Sequence, residues 1–414
     1  MIQFDRFTLT NGLRVLVHRD NSTPLACINV LYDVGARDEE EHLTGFAHLF
    51  EHLMFGGSVN IPSYDEPLQR VGGENNAFTS NDITNYYLTL PSQNLETGFW
   101  LESDRMLSLA FSEKSLEVQR SVVIEEFKQR YLNQPYGDVW LLLRPLAYKV
   151  HPYKWATIGK EISHIELAKM EDVKAFFAKH YNPSNAILVV AGDVETEQVK
   201  QLAEKWFQPI DAGVKPPRNL PAEPAQNEYR RLEVERDVPY DALYMAFHMT
   251  DRRDSGYYTM DLISDLLSRG NSARLYNRLV KEQQVFSEIS AYVMGDLDKG
   301  LFVVSGKMNE GISTDEGEAA VFAELEKLTT ELVSERELDK VKNKAESSFQ
   351  FAEMGVLDKA MNLAYFELLG NASNINNEVA NYRAVTAEII RSTAAEVMRR
   401  TNCSALHYRA AKTA

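Results

Sequence analysis

The sequence has too few cysteines, too few basic residues and no apolar run of the length that several classes of protein require. Cys27 and Cys403 are the 2 cysteines among 414 residues, so neither a disulfide framework nor a cysteine-rich metal site is expected. Lys and Arg total 44 against 60 Asp and Glu, which gives a formal net charge of −16. This acidity argues against a nucleic-acid partner, which needs a basic face. No apolar stretch approaches the roughly 20 residues of a membrane span.

The N-terminal segment also lacks the apolar core of a secretory signal. It carries charges at Asp5, Arg6, Arg14 and Arg19, whereas a signal peptide has a continuous apolar region. This pattern indicates a cytoplasmic protein, and a periplasmic location stays open. A hydrophobic content of 44% with 25% charged residues is typical of globular proteins.

A proline-rich segment near the middle of the chain predicts a domain boundary. The chain is long for a single core, and residues 207–226, FQPIDAGVKPPRNLPAEPAQ, have the composition of a linker. We predict a catalytic domain over 1–210, a linker over 211–226 and a second domain over 227–414.

The pattern of strands and helices predicts an α+β fold with helices packed on a sheet. The first strands are expected to form a hairpin around Asn11-Gly12, a pair that favours a type I′ turn. A strand is predicted at 25–35. The further predicted elements are helices at 42–56, 94–110, 112–132, 170–181 and 195–207 and a strand at 186–194.

The two halves resemble weak repeats of each other. LACINVLYDVG in the first half is similar to DALYMAFHMT in the second, and an apolar helix follows each. Aligning the ends of those helices places Leu262 at the position of His48 and Leu266 at that of His52. The second copy then has an ordinary core helix where the first has histidines.

The segment GFAHLFEHLMFGGS, residues 45–58, combines two histidines and a carboxylate with apolar neighbours. His48 and His52 are four residues apart, so a helix presents both on one face, and Glu51 shares that face. Two imidazoles at this spacing can bind one zinc ion, and a nearby carboxylate can act as a general base. The alternative is two hydrogen-bonded histidines on an amphipathic helix. Because unpartnered imidazoles among apolar side chains are costly, the metal site is favoured.

A third protein ligand is expected in the helix SLEVQRSVVIEEFKQRYLN. Glu125 and Glu126 are both candidates, and helical periodicity from Val122 and Val123 places Glu126 slightly nearer the buried side. The alternative for both glutamates is a solvated acidic face.

The pattern H-x-x-E-H is the inverted zincin motif, and the chain resembles the insulinase or pitrilysin family of zinc peptidases, which includes the mitochondrial processing peptidases. The resemblance covers most of the first half and, more loosely, RGNSARLYNRLVKEQQVF in the second. The first-half segments in family order are NGLRVLVHRD, GFAHLFEHLMFGGS, GGENNAFTSNDITNYY, RSVVIEEFKQR, HPYKWATIGKEISHI and HYNPSNAILVVAGDV.

This resemblance implies a fold and a role for each motif residue. The fold would have two homologous domains, each a mostly antiparallel β-sheet covered by α-helices. His48, His52 and Glu126 would be ligands of Zn²⁺, with Glu51 as the base that activates water.

The segment NNAFTSNDITNYY is too polar for a central strand and is expected at a sheet edge. In the family, substrate peptide pairs with the equivalent strand through its main chain. We therefore predict Asn76, Ala77 and Phe78 as substrate contacts. The alternative is an ordinary edge strand.

The sequence departs from the family pattern in two places. Gln119 stands where members often have a glutamate that supports the metal ligands. Its neutral amide can still hydrogen-bond a ligand, but it cannot neutralise the charge of a zinc ion. Val280 and Ser287 stand where active members have the arginine and tyrosine that hold the substrate carbonyl, and the nearby Arg278 and Tyr292 do not fit that spacing.

These departures predict a heterodimer in which a homologous partner supplies the missing arginine and tyrosine, while this chain contributes the zinc. The predicted function is a zinc endopeptidase that cleaves oligopeptides or unfolded segments. A non-catalytic structural subunit of the same family and a zinc hydrolase with a non-peptide substrate remain alternatives.

Overall fold

The computed structural model describes residues 1–411 and divides them into two compact units. Unit 1 contains Met1–Gln129, Trp155–Leu220 and Gln350–Asn377. Unit 2 contains Arg130–Lys154, Pro221–Phe349 and the described residues from Glu378 onward. Residues 412–414, at the end of the predicted range 227–414, lie outside the described residues.

Short runs of strands are separated by helices along the chain. The strands are β1 Asp5–Thr8, β2 Arg14–Arg19, β3 Leu25–Tyr32, β4 Glu74–Thr79, β5 Thr84–Pro91, β6 Ala186–Gly192, β7 Arg230–Arg236, β8 Ala242–His248, β9 Phe286–Met294, β10 Leu301–Met308 and β11 Cys403–Ala410. The α-helices are α1 Phe46–Leu53, α2 Asp65–Arg70, α3 Leu95–Leu107, α4 Glu113–Phe127, α5 Val139–Ala147, α6 Ile162–Glu166, α7 Met170–His180, α8 Thr196–Trp206, α9 Gly256–Ser268, α10 Thr314–Thr330, α11 Glu335–Ala352, α12 Val356–Leu368, α13 Glu378–Ala384 and α14 Ala387–Val397.

Shorter helical segments complete the secondary structure. The π-helical segments are Lys128–Leu132 and Tyr276–Glu282. The 3₁₀ turns are Ala36–Asp38, Ser92–Asn94, Pro152–Lys154, Pro183–Asn185, Ala372–Asn377 and Arg400–Asn402. None of the described helices is both long and apolar enough to cross a bilayer. Residues 211–227 have no regular secondary structure.

Each unit is built on one mostly antiparallel sheet. The strand order is β1-β2-β6-β3-β5-β4 in unit 1 and β7-β11-β8-β10-β9 in unit 2. The pair β2/β6 is parallel, as is β7/β11, and the remaining neighbours are antiparallel. From β2 to β4, unit 1 therefore repeats the order and directions of unit 2. The predicted α+β fold with two homologous domains is confirmed.

Each sheet is covered on one face by a helix from the other half of the sequence. In unit 1, α12 packs on β3 and β6, and its Leu363 and Ala364 are buried with Ile187 and Val189. In unit 2, α5 packs on β7, β8 and β11, with Leu143 in the core. The compact units are therefore not the two stretches of chain on either side of 211–226. The sequence does not predict this, because an amphipathic pattern shows that one face of a helix is buried but not which sheet buries it.

The first hairpin forms as predicted, but its turn is of a different type. Gly12 has φ of 88°, whereas Asn11 is not among the described residues with positive φ, so the turn cannot be type I′. Gly12 N donates to Leu9 O, as in a type I turn followed by a left-handed glycine. Asn11 Nδ2 donates to Phe207 O and Ile210 O, and its Oδ1 accepts from Leu13 N at 3.3 Å, so the side chain joins the turn to residues that are distant in sequence.

Candidate metal centre

Helix α1 starts at a left-handed glycine and is tied to a buried carboxylate. Gly45 has φ of 88° and precedes the first residue of α1, so the helix is shorter than the predicted 42–56. The Glu39 carboxylate accepts hydrogen bonds from Gly45 N at 2.9 Å and Ala47 N at 2.8 Å. Burial raises the pKa of Glu39 to about 8, although the two N–H donors oppose that shift. These bonds fix where α1 begins.

The two faces of α1 differ in polarity. Leu49 and Phe50 are fully buried, and with them Phe46, Ala47 and Leu53 anchor the helix in the core. His48 and His52 are half-buried on the other face, with side-chain exposures of 13% and 25%. Their ring centroids lie 4.8 Å apart and the ring planes are 84° from parallel.

A carboxylate from α4 completes a set of three possible ligands. Glu126 Oε2 lies 3.6 Å from His48 Nε2 and 3.4 Å from His52 Nε2. Two atoms that each bind zinc at about 2.1 Å with a tetrahedral angle lie about 3.4 Å apart. The observed separations match that value, and two imidazoles with one carboxylate are a zinc-type donor set. Within residues 1–411, no other three His, Cys, Asp or Glu side chains meet in this way.

The structure separates the two glutamates that the sequence left open. Glu126 is half-buried beside the histidines, whereas Glu125 is exposed and accepts a hydrogen bond from Gln129 Nε2. The periodicity argument holds for Val123, which is fully buried, but not for Val122, which is 44% exposed. The helix is rotated so that one valine faces the core.

Glu51 lies on the polar face of α1 and contacts the neighbouring strand. Thr79 Oγ1, at the end of β4, donates a hydrogen bond to Glu51 Oε2 at 2.6 Å. Thr79 was not among the predicted site residues. The available signal was the alternation along β4, which places Thr79 on the same face as Ala77.

The predicted substrate segment forms β4, which is the last strand of its sheet. Strand β4 pairs with β5 on one side, and no other described strand pairs with it. Asn76 and Phe78 are exposed, Ala77 is half-buried, and Ala77 N donates to Asn76 Oδ1 at 2.8 Å. Helix α1 packs against β4, so this strand edge lies beside the histidines.

The positions that depart from the family pattern provide no group to hold a carbonyl. Val280 packs against the core of unit 2, and Ser287 Oγ donates to Lys307 O. Arg278 is paired with Glu282 in the same helical segment.

Tyr292 and Gln119, which were also considered in the sequence analysis, both lie in regular secondary structure. Tyr292 lies in β9 and is partly buried. Gln119 is half-buried on α4, two helical turns before Glu126. Neither of them brings a charge to the three-ligand set.

Comparison with known families places both halves of the chain in one group. A model described as Insulinase (Peptidase family M16) matches residues 14–150. A second model, Peptidase M16 inactive domain, matches residues 168–345. The resemblance that the motifs indicated is confirmed.

Relatives and solved structures agree with these matches. A zinc protease, PqqE, of Helicobacter pylori is 32% identical over 83% of this chain and 78% of its own length. An uncharacterized zinc protease of Rickettsia bellii is 25% identical over 94% of each chain. The crystal structure of a protease from Helicobacter pylori has a TM-score of 0.92 at 28% identity, covering 99% of this chain and 100% of that one. A periplasmic protease from Escherichia coli shares the fold, with a TM-score of 0.80 at 18% identity over 98% of this chain and 47% of that one.

Proposed function

The chain belongs to the insulinase family of M16 peptidases, and we propose that it is a zinc-dependent endopeptidase, the catalytic subunit of a heterodimer. The observation that carries this proposal is that a possible metal site and a strand edge, unpaired within the described residues, lie next to each other. The donor set of His48, His52 and Glu126 lies beside the open edge of β4. The donor set can hold a metal ion, and the edge of β4 can hold an extended peptide next to that ion.

His48, His52 and Glu126 would hold the zinc ion through two imidazole nitrogens and one carboxylate oxygen. A bound zinc ion supplies Lewis acidity, which lowers the pKa of a coordinated water and polarises a carbonyl. Three protein ligands leave a position for water, which is typical of catalytic rather than structural zinc sites.

Glu51 is the proposed general base. Its carboxylate lies on the same helical face as His48 and His52, and the hydrogen bond from Thr79 directs it toward the side where β4 ends. It would take the proton of the attacking water and return it to the departing amine.

The edge of β4 is the proposed substrate site. A peptide added as a further strand would hydrogen-bond to the β4 main chain, which makes binding tolerant of sequence. A peptide that pairs at Ala77 would replace the bond that Asn76 Oδ1 now accepts from Ala77 N. Phe78, 39% exposed, would contact a substrate side chain.

The partner follows from the missing carbonyl-binding groups. Developing negative charge on a carbonyl oxygen needs donors placed in advance, and neither Val280 nor Ser287 provides a cation or a phenol. A homologous partner chain would supply the arginine and tyrosine. One relative of this chain, from Caenorhabditis elegans, is the mitochondrial-processing peptidase subunit beta, so a subunit arrangement has a precedent among the relatives.

The first experiment separates metal binding from catalysis. Wild-type protein should contain about one zinc ion per chain, as measured by elemental mass spectrometry. His52→Ala should lose it, and the control His42→Ala, at a histidine that is 73% exposed, should keep it. Assayed together with the homologous partner chain, Glu51→Gln should keep zinc but cleave peptide at least about 100-fold more slowly than wild type. Cleavage by Glu51→Gln at the wild-type rate would contradict the assignment of the base.

The second experiment tests the partner. The chain alone should be nearly inactive on a quenched peptide, and adding a homologous chain that has the arginine and tyrosine should restore cleavage. Full activity of the isolated chain at low concentration would refute the heterodimer. A folded, zinc-free and inactive complex would instead favour a structural subunit.

A further inference from the structure

We propose that Thr79 is a positioning residue that orients the Glu51 carboxylate from the strand that binds substrate. This inference deepens the proposed function and rests on it. It goes beyond the ligand set, because Thr79 lies on β4 and donates to Glu51 rather than being one of the three proposed ligands.

The contact itself has the geometry of a strong hydrogen bond. The donor–acceptor distance between Thr79 Oγ1 and Glu51 Oε2 is 2.6 Å. Hydroxyl-to-carboxylate bonds of roughly 2.5–2.7 Å are charge-assisted and about twice as strong as neutral ones. Both side chains are half-buried, so water competes with this bond less than it would at an exposed site.

Thr79 is held on a rigid support. Its backbone pairs with Thr84 of β5, and Thr84 Oγ1 donates to Val34 O at 2.9 Å. The turn that follows is closed by Ser80 N, which donates to Ile83 O at 2.8 Å. The hydroxyl of Thr79 therefore has a fixed position relative to the sheet.

Glu51 benefits from such a support. A glutamate has three side-chain torsions, and fixing them costs up to about 2 kcal/mol of rotamer entropy. A base must stay within about 0.5 Å of its productive position. A hydrogen bond to one carboxylate oxygen favours one rotamer of the side chain.

The position of Thr79 on β4 also connects the base to the substrate. Thr79 lies two residues after Ala77 on the same face of the strand. A shift of β4 that accompanied peptide binding would be transmitted to Glu51 through the hydrogen bond from Thr79. The strand therefore acts both as docking edge and as the support of the base.

The experiment compares two substitutions in the zinc-loaded chain with its partner. Thr79→Val keeps the shape and removes the hydroxyl, and Thr79→Ser keeps the hydroxyl. The control is Thr89→Val, which makes the same change on the adjacent strand β5. We expect Thr79→Val to lower kcat by about 10-fold to 100-fold with KM and zinc content unchanged. We expect Thr79→Ser and Thr89→Val to stay within about 3-fold of wild type.

A crystal structure of each variant provides a readout that does not depend on activity. Glu51 should keep one rotamer in wild type and Thr79→Ser, and should move or adopt several in Thr79→Val. An unchanged Glu51 rotamer, an unchanged kcat or an effect on KM alone in Thr79→Val would each overturn the proposal. If the wild type cleaves no peptide at all, the proposed function fails, and the rotamer comparison still decides whether Thr79 positions Glu51.

Discussion

Arg105 is a buried cation next to α1, the helix that carries two of the proposed metal ligands, and replacing it tests how this region is stabilised. Its side chain is 1% exposed, and Nε and Nη2 donate to the Glu102 carboxylate. The guanidinium carbon lies 4.6 Å from the ring centre of Tyr64, 4.4 Å from that of Tyr86 and 5.4 Å from that of Phe55. Phe55 follows α1, so this cluster supports the end of that helix.

The change Arg105→Met removes the cation and leaves the Glu102 carboxylate, which is 0% exposed, without its charge partner. Breaking one side of a buried pair costs about 3–5 kcal/mol because the remaining charge stays desolvated. The lost cation–π contacts add about 1 kcal/mol. For a unit of this size, each kcal/mol lowers Tm by about 2–4 °C. We expect a decrease of roughly 8–24 °C for the transition of unit 1.

The assay is thermal and urea unfolding followed by circular dichroism. The double variant Arg105→Met/Glu102→Gln should be more stable than the single variant by about 1–3 kcal/mol, since no buried charge remains. The control Arg19→Met breaks a pair with Glu195 in which both side chains are more than half exposed, and should change stability by less than about 1 kcal/mol. A single variant as stable as this control, or a double variant less stable than the single, would refute the argument.

Three further changes test other parts of the structure. Burial lowers the pKa of His180 from 6.5 to about 4, so its contribution to stability is present above pH 6.5 and is lost as pH falls toward 4. His180→Leu should therefore lose about 2 kcal/mol less unfolding free energy than wild type between pH 7 and pH 5 in urea titrations, and an equal loss in both proteins would refute this. Gly192→Ala should destabilise by at least about 1–3 kcal/mol, because φ is 123° and the added Cβ would lie 2.2 Å from Leu25 O; wild-type stability would contradict this. Chelation should lower Tm of the zinc-loaded wild type but not that of His52→Ala, and an equal shift in both would place the metal elsewhere.

The elements around the metal centre could be predicted because their signals are local. The spacing of His48, Glu51 and His52 depends only on helical geometry, and the apolar residues between them mark the buried face. Glu126 is different, because helical periodicity favours it over Glu125 only slightly and the preference rests mainly on the family resemblance. Val122 shows the limit, since it is 44% exposed although the adjacent Val123 is buried, and tertiary packing decides which side of a helix faces the core.

The parts that could not be predicted depend on long-range packing. Helices α5 and α12 each pack on a sheet formed mainly by the other half of the sequence. The sequence of a helix shows that it has an apolar face, but it does not show which sheet that face covers. Thr79 was missed for the same reason, because its hydroxyl gains a role only when β4 lies beside α1. The turn at Asn11 depends on the carbonyls of Phe207 and Ile210, which are distant in sequence.

The two units together show that packing alone does not require the histidines of α1. Helix α9 occupies in unit 2 the place of α1 in unit 1, between the strands β8 and β9 that match β3 and β4. Leu262 and Leu266, which align with His48 and His52, are 1% and 2% exposed in the core of unit 2. The same topology therefore forms with leucines at those positions. Half-buried imidazoles stabilise a helix less than buried leucines do. Packing therefore does not explain the two histidines in α1, whereas the proposed metal site would.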